Sequence, residues 1–179
     1  MVNGPLIKRQ RRILGATCST HFIHDGFSDL IIILLPVWQG EFGLSLSQVG
    51  VISSTYSGAM SIDQLPAGLA AERWGERRIL VVGTFLAGTG ICLLGFAGGA
   101  LGLALALVLA GIGNSQQHPL NSTLVARAFQ DGPVRTALGI YNFSGDLGKM
   151  AVPGLAALAL ASLDLSLIHI CRCRRYSLC

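Results

Sequence analysis

The segment 21–29 places four ionisable residues in a stretch that is otherwise mostly apolar: His21, His24, Asp25 and Asp29. On a helix turning about 100° per residue they share an arc of about 140°, and Asp25 lies ~18 Å into a helix beginning near residue 13. His21 and Asp29 lie one turn before and after Asp25, so both can reach it. We therefore expect Asp25 to bind a proton or a cationic part of a substrate, tuned by His21 and Asp29.

Two later segments also carry polar residues on one helical face. Asn114, Gln117, His118 and Asn121 lie within about 100° of each other, and Asn142, Asp146 and Lys149 share a stripe about 60° wide. A charge at the centre of a bilayer costs at least about 2.5–3.5 kcal/mol, so such faces usually turn towards protein or water. Three polar faces favour one shared, water-accessible cavity. The residues predicted to bind substrate or couple protons are His21, Asp25, Asp29, Asn114, His118, Asn142, Asp146 and Lys149.

Structural explanations also exist for these residues. Asp146 and Lys149 can neutralise each other within one helix. Pro119 should kink the fourth helix, and His118 can then bond a carbonyl that the proline frees. Polar pairs can also join neighbouring membrane helices. The sequence leaves these alternatives open.

The composition places these faces in a membrane. Charged residues make up 12% of the 179-residue chain and apolar residues 51%, whereas soluble domains carry about 25% charge. A bilayer core about 30 Å thick needs roughly 20 helical residues, so the uncharged stretch 79–113 is too long for one crossing. Gly98 and Gly99 offer a turn within it. We predict an all-α membrane protein with a transmembrane bundle at 13–163, in five helices at about 13–38, 47–71, 79–97, 101–124 and 136–163.

The distribution of basic residues predicts the orientation. The segment 1–12 is predicted to be a cytoplasmic basic segment, three arginines precede the third helix, and Arg127 and Arg135 precede the fifth. The segments after the first and third helices hold no basic residue, so the N-terminus is predicted to be cytoplasmic. No A-x-A site supports a cleaved signal peptide. No basic stripe with interleaved aromatic residues is present, so we expect no nucleic-acid partner.

The last fifteen residues, LSLIHICRCRRYSLC, depart from this pattern. They would place three arginines on the external side, and they resemble a translated sequencing adapter more than a native helix. We interpret residues 165–179 as a non-native tail, and the alternative is a short basic segment beside the membrane.

Residues 68–78, GLAAERWGERR, resemble the signature loop of the major facilitator superfamily. Glu72 replaces the commoner aspartate, and Glu76 stands where a basic residue is usual. Independently of the resemblance, Gly75 permits a tight turn, and Glu72 can pair with an arginine or a helix N-terminus. The resemblance implies a loop that holds one conformation, and the alternative is that its charge serves only to mark topology. The residues that match the motif are Gly68, Glu72, Arg73, Gly75, Arg77 and Arg78.

Two further segments show weaker resemblances. HPLNSTLVAR is similar to the end of the fourth helix in the fosmidomycin-resistance-like branch, and NFSGDLGKMAVPG to the fifth helix of many antiporters. The arginine that many proton-coupled members carry in the fourth helix is absent, and Leu107 lies near its place. The resemblance covers about residues 13–163 and implies an incomplete N-terminal six-helix bundle of a major facilitator fold, with helices one and four lining a central cavity.

The resemblance also implies a function. The chain would be part of a secondary active transporter of a prokaryotic inner membrane, moving a small solute, drug-like or a metabolite, by alternating access, with proton coupling as one option. Its partners would be that solute, protons, the lipid bilayer and the missing C-terminal half. We expect the fragment alone to be inactive.

Two other functions compete with transport. An intramembrane metalloenzyme that bound zinc through His21, His24, Asp25 and His118 would lack any H-E-x-x-H motif. A small structural or assembly membrane protein would not need the loop at 68–78. We therefore expect no enzyme, no metal and no cofactor.

Overall fold

The computed structural model describes residues 4–162, which form six α-helices and no strand within that range. The helices are α1 (Gly4–Phe42), α2 (Leu46–Trp74), α3 (Glu76–Leu94), α4 (Ala100–Asn114), α5 (Gln117–Ala128) and α6 (Val134–Ser162). The predicted all-α class is confirmed. The predicted tail at 165–179 lies outside the described residues.

Most helix ends differ from the predicted ones by several residues. α1 begins at Gly4, so most of the predicted basic segment 1–12 forms its first turns. α3 ends at Leu94, earlier than predicted, because a glycine-rich stretch follows it. Gly99 has a φ of +154°, which favours glycine, and α4 begins directly after it.

The predicted helix 101–124 is two helices, α4 and α5, separated at Ser115 and Gln116. Pro119 has no N–H, and its ring excludes the carbonyl four residues earlier, which belongs to Ser115. The Ser115 hydroxyl donates to Asp63 Oδ2 of α2 at 2.7 Å, and the Gln116 amide donates to the Gly113 carbonyl at 3.0 Å. These side chains satisfy polar groups where the helical ladder stops.

Three segments are long and apolar enough to cross a membrane: Leu6–Phe42, Glu76–Leu94 and Ala100–Ala128, the last of which includes the break. α2 and α6 each have 29 residues, or ~43 Å at the helical rise, but are not among these three segments. Three of the five predicted crossings are therefore supported by length and composition, and those of α2 and α6 stay predictions.

The helices pack in two groups that share α5. α1 lies along α6, and α4 lies between α2 and α3. Glycine allows both close approaches: a Cβ on Gly148 would clash with the Phe22 carbonyl, and one on Gly113 with the Ala87 nitrogen. α4 is central, with Leu103 and Leu107 fully buried, whereas α3 is peripheral. Val82 and Phe85 of α3 are exposed and form its outer face.

Candidate functional site

A cavity of about 230 Å³ opens between α1, α2, α5 and α6. Its wall combines charged and hydroxyl-bearing side chains with a few apolar ones. Among the described residues that line it, Lys149 is the only lysine or arginine. The lining residues are His24, Asp25, Ser28, Asp29, Ile31, Ile32, Ser53, Tyr56, Ser57, Met60, His118 and Lys149.

Asp25 is the centre of the polar cluster and is only 2% exposed. Its Oδ1 lies 2.8 Å from His24 Nδ1 and 3.3 Å from His118 Nε2. Its Oδ2 lies 3.2 Å from both His21 Nε2 and Lys149 Nζ. Three helices thus surround one buried carboxylate with groups that carry or can carry positive charge.

His21 is held in one orientation by α6. Its Nδ1 lies 2.8 Å from the Tyr141 carbonyl, and its ring stacks on the Tyr141 ring at 4.1 Å. A carbonyl can only accept, so Nδ1 carries the hydrogen and donates it. The other nitrogen, Nε2, therefore faces both Asp25 and His118 Nδ1, the latter at 3.2 Å.

Glycine on α6 provides the space for this cluster. A Cβ on Gly145 would lie 2.7 Å from His21 Nε2 and 2.7 Å from Asp25 Oδ2. Gly145 was not among the predicted site residues, although it lies one helical turn before Lys149 in a glycine-rich segment.

A second group of polar residues supports the cavity wall from behind. The Asn114 amide donates to Tyr56 Oη at 2.8 Å, and Tyr56 Oη donates to Ser28 Oγ at 2.9 Å. Asn114 is buried and does not line the cavity, so it holds Tyr56 and Ser28 in place across three helices.

The predicted site residues are brought together only in part. The structure brings together His21, Asp25, His118 and Lys149. Asp29 lines the same cavity but is not among the groups that contact the Asp25 carboxylate. Asn142 and Asp146 are exposed on α6 and do not line the cavity.

Two of the structural alternatives concern the partners of Lys149 and His118. Lys149 does contact Asp146 within its own helix, at 3.5 Å, but also contacts Asp25 at 3.2 Å. The ring nitrogens of His118 contact His21 and Asp25, rather than a carbonyl freed by Pro119. Lys149 is therefore shared between a buried and an exposed carboxylate.

Comparison with known proteins places this arrangement in a family. The family model of the Major Facilitator Superfamily matches residues 17–170. The chain belongs to the major facilitator superfamily. As a member, it is an integral membrane protein and a fragment of a major facilitator fold, in a family of transporters.

Several relatives in this superfamily are similar along much of the chain. The fosmidomycin resistance protein of Escherichia coli is 34% identical over 83% of this chain and 36% of its own length. A probable sulfoacetate transporter of Cupriavidus necator is 31% identical over 63% of this chain and 26% of its own length. A probable anion transporter of the Arabidopsis thaliana chloroplast is 28% identical over 83% of this chain and 29% of its own length. The chain thus spans about a third or less of these relatives, and no solved structure matches it at a significant level.

The superfamily loop joins α2 to α3 through Gly75, which has a φ of +90° and donates its N–H to the Ala71 carbonyl at 2.9 Å. A Cβ there would meet no atom within 4 Å, so the turn needs glycine for its conformation alone. Glu72 forms no ion pair within residues 4–162. Glu76 instead pairs with Arg127 of α5 at 2.7 Å, so the acid that departs from the motif makes the contact.

Leu107 lies near the place of the arginine that many proton-coupled members of the superfamily carry in the fourth helix. It is fully buried with Ile31 and Leu103 in the apolar core, so α4 brings no cation to the cavity at this position. The fixed positive charge comes instead from Lys149 of α6.

Proposed function

We propose that the full-length protein is a secondary transporter, and that the cavity around Asp25 forms the N-terminal share of its substrate site. The observation that carries this proposal is the buried carboxylate of Asp25, which three helices surround with histidine and lysine side chains. Membership of a transporter family supports it. A structural or assembly protein would have no need for such a cavity.

The substrate we propose is a small organic anion. The side chain of Lys149 is 42% exposed, so its ammonium group can contact both Asp25 and a solute in the cavity. His118 is also exposed at this wall. Two of the relatives carry the words sulfoacetate and anion in their names, which agrees with a positively charged contact.

The charge on Asp25 would link binding to transport. A substrate anion that draws Lys149 away leaves the carboxylate facing its histidines, so the balance of charge in the cavity changes with occupancy. Alternating access then needs the second bundle to move against this one around a midplane site. Coupling to protons, a cytoplasmic N-terminus and a prokaryotic inner membrane stay predictions from the sequence.

The test is uptake into proteoliposomes that contain the full-length protein, with labelled sulfoacetate and fosmidomycin as probes. Lys149→Gln should reduce uptake about tenfold or more, because it removes a charge-assisted contact of about 1.5–3 kcal/mol. Lys8→Gln is the matched control, since Lys8 is exposed near the start of α1. Equal loss in both variants, or no loss in Lys149→Gln, contradicts the proposal.

Asp25→Asn tests the carboxylate with almost no change of size. We expect concentrative uptake to be lost, while Asp131→Asn, in the exposed turn before α6, should transport normally. The 179-residue chain alone should give no uptake, because it lacks the second bundle. Robust uptake by that chain without a partner half would overturn the alternating-access mechanism.

A further inference from the structure

We propose that His21, Asp25 and His118 form a binding site for a divalent transition-metal ion such as Zn²⁺. The open coordination positions of that ion would face the cavity and take a metal-chelating anionic group of the substrate, and this second part rests on the proposed function. One ligand atom from each of the three residues lies within 4.8 Å of the others. Two come from α1 and one from α5.

Two of the three spacings between the ligand atoms fit tetrahedral coordination, and the third is within 4.8 Å. His21 Nε2 lies 3.2 Å from Asp25 Oδ2 and 3.2 Å from His118 Nδ1. Two ligands bound at about 2.0–2.1 Å in a tetrahedron lie about 3.3 Å apart. Both distances are therefore those expected of ligands that share one zinc ion.

A cation between the two histidines, either a metal ion or a proton, would satisfy the contacts around them. His21 uses Nδ1 to donate to the Tyr141 carbonyl, and His118 Nε2 lies 3.3 Å from the carboxylate Oδ1, an acceptor. In two neutral rings the remaining nitrogens would both carry lone pairs, and these nitrogens face each other at 3.2 Å. Lone pairs that face each other repel unless a positive charge lies beside them.

The surrounding contacts are those that orient metal ligands. Ligating histidines usually donate their second N–H to a backbone carbonyl or a carboxylate. His21 donates to Tyr141, and the Nε2 of His118 faces Asp25. His24 Nδ1 lies 2.8 Å from Asp25 Oδ1 and orients the carboxylate. The Oδ2 of Asp25 is buried and contacts only His21 and Lys149 among the described residues, each at 3.2 Å, so a metal ion there would displace Lys149.

Lys149 would compete with the metal ion for the Asp25 carboxylate. Its ammonium group lies 3.2 Å from Asp25 Oδ2, the oxygen that the ion would take, and 3.5 Å from Asp146. Metal binding would shift Lys149 towards Asp146, which is 70% exposed. Two neutral histidines and one carboxylate leave a divalent ion with a positive charge, so an anionic ligand would be attracted to both the ion and Lys149.

Three protein ligands leave room for a substrate. Sites with three ligands keep at least one open position, whereas structural zinc sites have four protein ligands. The side chain of His118 is 49% exposed and lies at the cavity wall, so the open side faces the solute. This inference departs from the expectation of no metal site, because only the fold brings His118 to His21 and Asp25.

The test is titration of the 179-residue chain in detergent with Zn²⁺ by calorimetry and with Co²⁺ by visible absorption. The residues 163–179 contain His169, Cys171, Cys173 and Cys179, which can bind metal themselves, so all variants are also made with these four changed to serine. We expect one ion per chain in that background, with Co²⁺ bands of nitrogen and oxygen ligation and no thiolate charge-transfer band.

The variants separate a metal site from loss of folding. Asp25→Asn and His118→Ala should each weaken Zn²⁺ binding about tenfold or more, as measured for groups around zinc sites. Asp131→Asn should not change it. Lys149→Gln should bind Zn²⁺ more tightly than the unaltered chain, a gain that misfolding cannot produce. Absence of binding in the serine background, or equal binding by Asp25→Asn, overturns the metal site.

The transport part is tested separately in proteoliposomes of the full-length protein. Removal of metal by EDTA should abolish sulfoacetate or fosmidomycin uptake, and Zn²⁺ should restore it. Uptake that is insensitive to EDTA, with Zn²⁺ binding intact, refutes the substrate link and leaves the metal site standing. Uptake that needs Asp25 and Lys149 without any Zn²⁺ binding refutes the metal site and leaves the transport proposal standing.

Discussion

The interface of α1 with α6 and that of α3 with α4 both depend on glycine for close backbone approach, and the first also uses glycine in a second way, at Gly145. Between α3 and α4, glycines such as Gly113 bring backbone against backbone. Between α1 and α6, Gly145 leaves space that His21 and Asp25 fill. Glycine therefore serves backbone packing in both interfaces, as at Gly148 and Gly113, and at Gly145 it also makes room for a polar cluster.

This difference has a consequence for tolerance to substitution. A backbone contact cannot move aside without separating two helices, whereas a side chain can change its rotamer. The α3–α4 interface should therefore lose stability when a glycine is enlarged. The α1–α6 interface at Gly145 should lose binding geometry before it loses the fold.

The largest expected effect is that of Gly113→Val on stability. A Cβ there would clash with the backbone nitrogen of Ala87 and lie 2.6 Å from the Gly83 carbonyl. We expect a loss of about 3 kcal/mol, at the upper end of overpacking, in unfolding by sodium dodecyl sulfate followed by circular dichroism. Gly88→Val, on α3 with no atom within 4 Å of the added Cβ, is the control. Similar losses in both would show that helix propensity, not packing, dominates.

Gly145→Ala should have a smaller effect on stability and a specific effect on the cluster. The added methyl group would meet His21 and Asp25 side-chain atoms, so we expect about 1–2 kcal/mol of destabilisation and weaker Zn²⁺ binding by calorimetry. Gly139→Ala on the same helix meets nothing within 4 Å and should stabilise by about 0.5–1 kcal/mol. Unchanged Zn²⁺ affinity in Gly145→Ala would refute the spacer role.

Gly75→Ala extends the comparison to the loop between α2 and α3. The site is open but has a φ of +90°, so alanine should cost about 1–2 kcal/mol through backbone strain alone. Gly68→Ala in the helical part of the same motif should stabilise instead, by about 0.5–1 kcal/mol. The two unfolding midpoints should therefore move in opposite directions, and a shift of the same sign would contradict this explanation.

The smallest effect is expected for the ion pair that joins α3 to α5. Arg127→Gln should cost less than about 1 kcal/mol, because Arg127 is exposed and the pair is screened by salt. The difference from Arg135→Gln, which breaks no ion pair within residues 4–162, should fade as NaCl is raised. A salt-independent loss would mean that the pair is not held by charge alone.

Much of the fold was predictable because its signals are local. A long apolar segment predicts a membrane helix whatever surrounds it, and the signature loop identifies the turn at Gly75. The break at Ser115 and Gln116 was harder to place, because the proline signal lies at Pro119 while the helix opens four residues earlier.

The sequence by itself determined which residues are polar in an apolar chain and which share a face of one helix, since helical periodicity relates only residues three or four positions apart. It therefore identified Asp25 with His21, and Asp146 with Lys149. The tertiary structure decided which faces meet. His118 reaches His21 across 97 positions of sequence, and Lys149 crosses from α6 to Asp25. Such contacts depend on how closely glycines let the helices approach, and no local pattern encodes that distance.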